Sequence, residues 1–370
     1  MLENVAARGA DPLGGRAAPD IARILGRSEI RTGLESSAGY LRGRRILVTG
    51  AGGYIGSELC RQLSRWAPER LLLLDRNETA LHLAVSSIQD NAQARSSVLL
   101  ADIRDTRALV RLFRDQRPDI VFHAAALKWV PMLEEFPGEA LKTNVFGTQA
   151  VLQAALTADV EFLVNISTDK AVDPVGVLGY SKRIAEGLTA AAAIEVGRPY
   201  VSVRFGNVLG CQGSFLDVFA RQIAAGRPLT VTHPEATRYL MTVEEAVELV
   251  IQSAVMGSVG HALVLDMGEQ VRILDLAQRL IGLSGSELSI QYVGLRPGEK
   301  ITEALIGASE TVVRHVHPKI MEVPVPPLNS GECLDLDAWG EDSGIVDAMR
   351  RLCSDMAVDR AMGHAGSQPA

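Results

Sequence analysis

The sequence has few cysteines and no organised set of them. Its four, Cys60, Cys211, Cys333 and Cys353, lie far apart with no CxxC pair. That spacing excludes a disulfide framework and a cysteine zinc site, and reads as reduced thiols of a cytoplasmic protein. Long hydrophobic runs are missing too: none approaches the ~18–20 residues that a bilayer span requires. The N-terminus, MLENVAARGADPLGGRAAPD, lacks an apolar signal-peptide core. Net charge is −7 and the basic residues are scattered, so no electrostatic footprint for nucleic acid exists. The expectation is a protein with no membrane span and no nucleic-acid partner. What is present is 370 residues, 47% hydrophobic and 22% charged. That is enough for a large core, in one big domain or two interleaved ones.

Residues 1–43 are rich in Gly, Ala and Arg, with one short helical pattern near Asp20–Leu25, and read as an arm outside the main core. From residue 44 the order sharpens. RRILVTG, RLLLLD, SVLLAD, DIVFHAAA and VEFLVNIS read as strands. Between them lie the helical patterns SELCRQLSRW, TALHLAVSSIQDN, DTRALVRLFRDQ and GEALKTNVFGTQAVLQAALT. Alternation with continuous Val, Ile and Leu strands predicts an α/β doubly wound parallel sheet of the Rossmann type over residues 44–208. After Asn207 the alternation loosens: PLTVTHPEATRYLM mixes strand and turn signals, while TVEEAVELVIQSA and ILDLAQRLIGLSG are helices. A smaller C-terminal substrate-binding domain, mainly residues 209–323 and interleaved with the sheet, fits that change. Residues 324–370 are rich in Pro, Gly and Asp apart from a helical DAMRRLCSDMAV, and read as an extension whose end, GHAGSQPA, is disordered.

Strand RRILV runs straight into TGAGGYIGSE, which spaces Gly50, Gly53 and Gly56 three residues apart. Glycines let such a turn close tightly and let backbone approach a pyrophosphate at a helix N-terminus. The triplet alone is a weak signal. The strand before it, the helix after it and a second strand ending in Asp75, 19 residues beyond Gly56, strengthen it. Asp75 stands where a carboxylate accepts from an adenosine ribose 2′-hydroxyl, whereas Arg76 could meet a 2′-phosphate, so NAD and NADP both stay open. Asp102 is placed for the adenine edge or as a cap of DTRALV. Tyr54 and Ile55 in the turn, Ile103 beside Asp102, and Ala124, Ala125 and Ala126 at a strand end complete the expected cofactor-binding set. Alanines there let backbone press against a cofactor, although simple packing also explains them. Lys128 follows them toward the same crevice.

Thr168, Asp169 and Lys170 leave the end of the strand VEFLVNIS, where side chains meet substrate in doubly wound folds. A hydroxyl, a carboxylate and an amine in a row suit proton transfer to and from a sugar; an ion-paired loop is the other reading. Further on, Tyr180 precedes Lys182 by two residues. At ~100° per helical residue, the two point some ~200° apart.

TGAGGYIGSELCRQL, HAAALKWVP, KTNVFGT, ISTDKAVDP, KRIAE, VRFGNVLG, VTHPEATRYLMT, VLDMGE and GLRPGEK occur in this order. Together, over about residues 20–322, they resemble the extended short-chain dehydrogenase/reductase family. Within it they are similar to the CapD-type UDP-N-acetylglucosamine 4,6-dehydratases of polysaccharide biosynthesis. Many members carry an N-terminal membrane region, and the chain resembles their soluble catalytic part.

The resemblance implies a role for each matching residue. Gly50, Gly53 and Gly56 hold the dinucleotide, and Lys182, the lysine of the YxxxK-type motif, bonds the nicotinamide ribose. Leu178 takes the position of the ordinary tyrosine; the membrane-associated branch usually has methionine there, so an apolar residue is similar to that branch and leucine departs from it. Tyr180 is then expected to pack or lie at the surface. Lys170 is implied as the base at C5 and Asp169 as the acid at C6, with Thr168 or Asp169 receiving the O4 proton. A lysine base must be partly neutral, which cationic neighbours promote, and Lys128 and Lys182 are the expected ones. Asn207 resembles the residue that touches the substrate diphosphate, and Arg238, Arg296 and Glu299 the nucleotide-sugar contacts. Lys128 and Leu178 are expected to border the substrate.

The implied ligands are a tightly bound, recycled NAD or NADP and UDP-N-acetylglucosamine or a related UDP-sugar, in a homo-oligomer and without a metal. Two other functions stay open. One is a UDP-sugar epimerase on the same frame. The other is a catalytically inactive dinucleotide-binding interaction module, kept open by Leu178 and by Asp173 and Gly176, where DPVGV stands in place of NPTNV.

Overall fold

The structure, a computed structural model, describes residues 38–88, 95–211, 214–333 and 335–365, with backbone alone beyond Met356. The helical pattern at Asp20–Leu25 and the last five residues of GHAGSQPA lie outside the described residues. Six parallel strands make the centre of the sheet: β1 (Arg45–Thr49), β2 (Arg70–Asp75), β3 (Ser96–Leu100), β4 (Ile120–His123), β5 (Phe162–Ile166) and β6 (Tyr200–Arg204). Their spatial order is 3-2-1-4-5-6, so the winding reverses between β1 and β4, and a ligand crevice opens there at the strands' C-terminal ends.

The strands are apolar on both faces because both are covered. Ile46, Val48, Leu71 and Leu73 join one core, while their neighbours Leu47, Leu72 and Leu74 join the other. Helices α1 (Tyr54–Leu63), α2 (Glu78–Ser86) and α7 (Val243–Ser253) line the first core. Helices α3 (Thr106–Gln116), α4 (Gly147–Thr157), α5 (Val177–Val196) and α9 (Asp342–Ala365) line the second. The sheet then runs past β6. His261–Leu265 pairs parallel to it, and Ile320–Pro324 and Arg314–His317 add an antiparallel edge.

A smaller core of Phe219, Ile223, Leu229, Val231 and Ile273 gathers between α6 (Phe215–Ala224) and α8 (Ile273–Ser284). Two-residue strands tie it to the main body: Asn207–Val208 pairs with Leu240–Met241, and Thr237–Arg238 with Val271–Arg272.

Two local features differ from the sequence pattern. GEALKTNVFGTQAVLQAALT is not one α-helix, because Leu141–Phe146 forms a π-turn between Pro137–Ala140 and α4. That turn re-aims Asn144, which accepts from the Leu127 N–H (2.8 Å) and donates to the Leu127 carbonyl (3.0 Å) and to Ser181 Oγ (3.0 Å). Single π-turns of this kind recur at functional sites. The second feature is α9, which lies directly on α5. A Cβ on Gly187 would come within 2.5 Å of Met356 Cε and 2.8 Å of Leu328 Cβ, so glycine is what lets the two pack.

Candidate active site

The crevice at the winding reversal has two halves. In the first, the loop after β1 brings Gly50 into the left-handed region, φ 67°. A Cβ there would meet the Ala125 backbone nitrogen at 2.6 Å, and one on Gly56 would meet the Gly50 carbonyl at 2.0 Å. Gly53 begins α1 with extended backbone, and no side chain caps that helix. The result is a bare helix N-terminus behind a tight glycine turn, an anion cradle made of backbone alone.

The open groove beside it is lined by Gly50, Gly53, Asp75, Arg76, Asp102, Ile103, Ala124–Ala126 and Thr143. Asp75 sits at its floor, accepting from the N–H of Gly52 and of Asn77 (both 2.9 Å). Asp102 is gripped by Arg104 at 2.7 Å and faced by Arg76 at 3.6 Å. Burial pushes its carboxyl up, but the Arg104 hydrogen bonds and the two guanidinium charges outweigh this and hold it below the usual range. The cap of α3 is Asp105, which accepts from the Ala108 N–H, so the capping alternative for Asp102 falls away. Tyr54 turns from the groove to donate to the Leu209 carbonyl (2.8 Å), and Ile55 packs against the main core. Thr143 went unrecognised in the sequence: its buried hydroxyl finds no hydrogen-bond partner among the described residues while its residue lines the groove. The only signal was its place in KTNVFGT.

The second half begins where β5 ends. Thr168 opens a 3₁₀ turn, Asp169–Ala171, and its hydroxyl donates to Asp169 Oδ1 at 2.9 Å. Asp169 is fully buried, and Lys170 Nζ donates to the same oxygen at 3.0 Å. The amine also reaches Asn207 Oδ1 at 3.2 Å and stands 3.7 Å from Glu303 Oε1. Three acceptors therefore lie around the Lys170 amine, and Lys300 lines the same pocket. Lys128 is exposed, and Lys182 donates to the Ile166 carbonyl at 2.7 Å. Burial draws the Lys182 ammonium down to about 8, with the Glu186 charge pulling the other way. Beneath it, burial and then the Lys182 charge take His123 down to about 3; this imidazole is a neutral strut between Thr49 and Thr148.

Leu178 and Lys170 line one small pocket together with Val130, Val175, Gly176, Lys300 and Glu303. Tyr180 points elsewhere, its hydroxyl 3.3 Å from Arg350 Nε on α9. Arg238 is buried and donates to the Thr237 and Ile301 carbonyls (2.7 and 3.0 Å). Arg296 is exposed on a turn closed by the Glu299 N–H, 3.1 Å from the Arg296 carbonyl. Below the pocket lies an ion cluster invisible to sequence reading. Arg204, fully buried, bonds both Glu186 and Glu310, and Arg183 bonds the same two. Burial pushes Glu310 up, yet Arg204 above all, with Arg183, brings it down to about 2. Ser167 joins the cluster through Glu186 at 2.6 Å, so the strand exit that carries Asp169 and Lys170 is anchored from below.

Comparison with known proteins agrees with this architecture. A family model described as "Polysaccharide biosynthesis protein" matches residues 46–325. EpsC of Bacillus subtilis (strain 168), a probable polysaccharide biosynthesis protein, is 41% identical over 304 residues, 80% of this chain and 50% of EpsC. The chain thus spans about half the length of that relative. A UDP-glucose 4-epimerase of Rickettsia akari (strain Hartford) is 34% identical over 275 residues, 72% of this chain and 79% of the epimerase. Among solved structures, Pen from Bacillus thuringiensis superposes with a TM-score of 0.71 at 30% identity, covering 78% of this chain and 90% of Pen. A glycine-turn Rossmann sheet, a strand exit bearing Asp169 and Lys170, and a family match over residues 46–325 converge: the chain belongs to the polysaccharide biosynthesis protein family, with the fold of nucleotide-sugar epimerases and dehydratases.

Proposed function

We propose that this chain is a UDP-N-acetylglucosamine 4,6-dehydratase, yielding a UDP-4-keto-6-deoxy-N-acetylhexosamine. One observation carries the reading: the buried carboxylate of Asp169 lies 3.0 Å from the amine of Lys170, and that amine lines one small pocket with Leu178. Elimination across C5 and C6 needs a base and an acid side by side, and this pair supplies both. A 4-epimerase returns hydride to C4 and has no use for such a pair.

The groove fits a nicotinamide dinucleotide. The turn has no room for a Cβ at Gly50 or Gly56 and leaves the helix N-terminus uncapped. Asp75 at the groove floor offers acceptors to a ribose diol, while Arg76 and Arg104 offer cations to a 2′-phosphate, so NAD and NADP are both candidates. When bound there, such a cofactor would supply hydride chemistry, accepting from C4 and donating to C6. Lys182 holds its ammonium at the end of β5, placed to bond the nicotinamide ribose.

The residues of the pocket move the protons. With C4 a ketone, the C5 hydrogen is acidic; the C5–H bond breaks and the proton passes to the neutral amine of Lys170. The C6–O bond breaks as Asp169 delivers its proton to the leaving hydroxyl, and water departs. Lys170 then holds the proton taken from C5, exchangeable with solvent, and returns a proton to C5 as hydride reaches C6, while Asp169 regains its proton from O4 of the next substrate. Thr168, bonded to Asp169 Oδ1, is the hydroxyl best placed to take the O4 proton into the same carboxylate.

The test is incubation of the pure protein with UDP-N-acetylglucosamine in deuterated water, read by NMR. Loss of water with deuterium at C5 supports the dehydratase. A 4-epimer without water loss supports the second reading, an epimerase, which the likeness to the Rickettsia epimerase favours. Unchanged substrate that nevertheless binds supports an inactive binding module.

A further inference from the structure

Glu303 has no role in the steps above, and its surroundings are not those of a structural ion pair. Its side chain is 2% exposed, with Oε1 3.7 Å from Lys170 Nζ and Oε2 3.7 Å from Lys300 Nζ. Both separations are too long for hydrogen bonds, and Oε2 has no hydrogen-bond partner among the described residues. The structural carboxylates of this protein look different. Glu186 and Glu310 each receive guanidinium bonds on both oxygens. A buried carboxylate left half-satisfied is costly unless charge develops in front of it.

The backbone that carries Glu303 is held firmly. Gln270 donates to its carbonyl at 2.9 Å, Arg238 donates to the Ile301 carbonyl at 3.0 Å, and Lys300 donates to the Val172 carbonyl at 2.7 Å. The segment is thereby docked from both sides against the pocket wall, and the carboxylate has a fixed aim.

We infer that Glu303 is a positioning residue for Lys170, holding its amine over the pocket and stabilising the ammonium that forms as the C5 proton is taken. The inference rests on the dehydratase reading. In the elimination step the C5–H bond breaks and a positive charge appears on Nζ, inside a water-poor pocket where fixed opposite charge is effective. Asp169 becomes an anion at the same moment, and Asn207 presents an amide oxygen. Glu303 completes the set from the far side of the chain. Oxidation at C4 comes before this step and makes no demand on Glu303, so its removal separates the two halves of the reaction.

The experiment is rapid mixing of wild type and Glu303→Gln with UDP-N-acetylglucosamine, following the near-ultraviolet absorbance of reduced nicotinamide, with steady-state kinetics on substrate deuterated at C5. The variant is expected to accumulate reduced cofactor, to lose about 10²-fold in kcat at unchanged KM, and to show a larger C5 isotope effect than wild type. Glu303→Asp, which keeps the charge, is expected to regain part of the loss, and it carries the same test if Glu303→Gln does not fold. A fall in kcat without reduced cofactor and without a changed isotope effect means a merely structural role and overturns the inference. A rise confined to KM means that Glu303 touches the sugar, and overturns it too. Wild type that dehydrates beside a fully active variant sinks the inference alone, whereas wild type that removes no water sinks the dehydratase reading and the inference with it.

Discussion

The groove behind the glycine turn and the pocket beside Lys170 share one crevice and are built by different means. The groove is made of backbone: Gly50, Gly53 and Gly56 bend the chain close, and Ala124–Ala126 leave room beside it. The pocket sets three long charged side chains, Lys170, Lys300 and Glu303, among apolar residues and glycines, delivered by segments more than a hundred residues apart and held by Asn207, Arg238 and Gln270. A surface of backbone tolerates no added atom. A surface of side chains tolerates change in shape but not in charge or proton capacity.

That contrast can be broken by substitution. The largest effect expected is that of Lys170→Ala, which should lower turnover by 10²–10⁴-fold, on the order expected for a lost general base. Its affinity for dinucleotide, measured by fluorescence titration, should stay at the wild-type value; a parallel loss of both would mean that the two halves are one unit. Gly50→Ala is the converse. With φ at 67° and the Ala125 nitrogen 2.6 Å from the new Cβ, the turn must shift at a cost of about 1–3 kcal/mol. Dinucleotide affinity should fall by roughly that amount while UDP-sugar binding, read by calorimetry, persists.

A third, smaller effect is one of pH. The Lys182 ammonium has a folded value of about 8 against the ordinary 10.5, because burial disfavours its charge more than Glu186 restores it. Between those two values the unfolded chain binds more protons than the folded one, so this group adds stability as pH rises through that window. If Lys182 bonds the cofactor ribose as proposed, the same rise strips the cation from it. Dinucleotide affinity should therefore decline as pH passes about 8, and Lys182→Met should flatten that part of the profile. A decline of equal size in Lys182→Met would assign the titration to another group. Least of all should Tyr180→Phe matter. It removes a hydroxyl that faces Arg350 on α9 and not the pocket, so kcat should stay near wild type; an inactive Tyr180→Phe would place the tyrosine in the reaction after all.

What was legible in the sequence follows the same division. The glycine turn, Asp75 and the alternating strands are local signals, because spacing along the chain alone sets the turn, the strand end and the apolar faces. The π-turn was not legible: KTNVFG has the composition of an α-helix, and only the bonds of Asn144 to Leu127 and Ser181 reveal why it widens. Nor does the sequence reveal what surrounds the Lys170 amine: Lys128 is exposed, Lys182 donates to the Ile166 carbonyl, and the groups around the amine are Asp169, Asn207 and Glu303. Glu303 was passed over because the feature that marks it, a buried carboxylate with an amine 3.7 Å from each oxygen, exists only once the chain has closed on itself.

By itself the sequence determined the doubly wound sheet, the nucleotide turn, and that Tyr180 and Lys182 face different ways, since a helix turns by a constant angle per residue. The tertiary structure decided what Tyr180 faces, which residues surround Lys170, and how Arg204, Glu186 and Glu310 anchor the strand exit beneath it. The physical reason is distance along the chain. Charge and hydrogen bonding act over a few ångströms between residues that only the packed fold brings together.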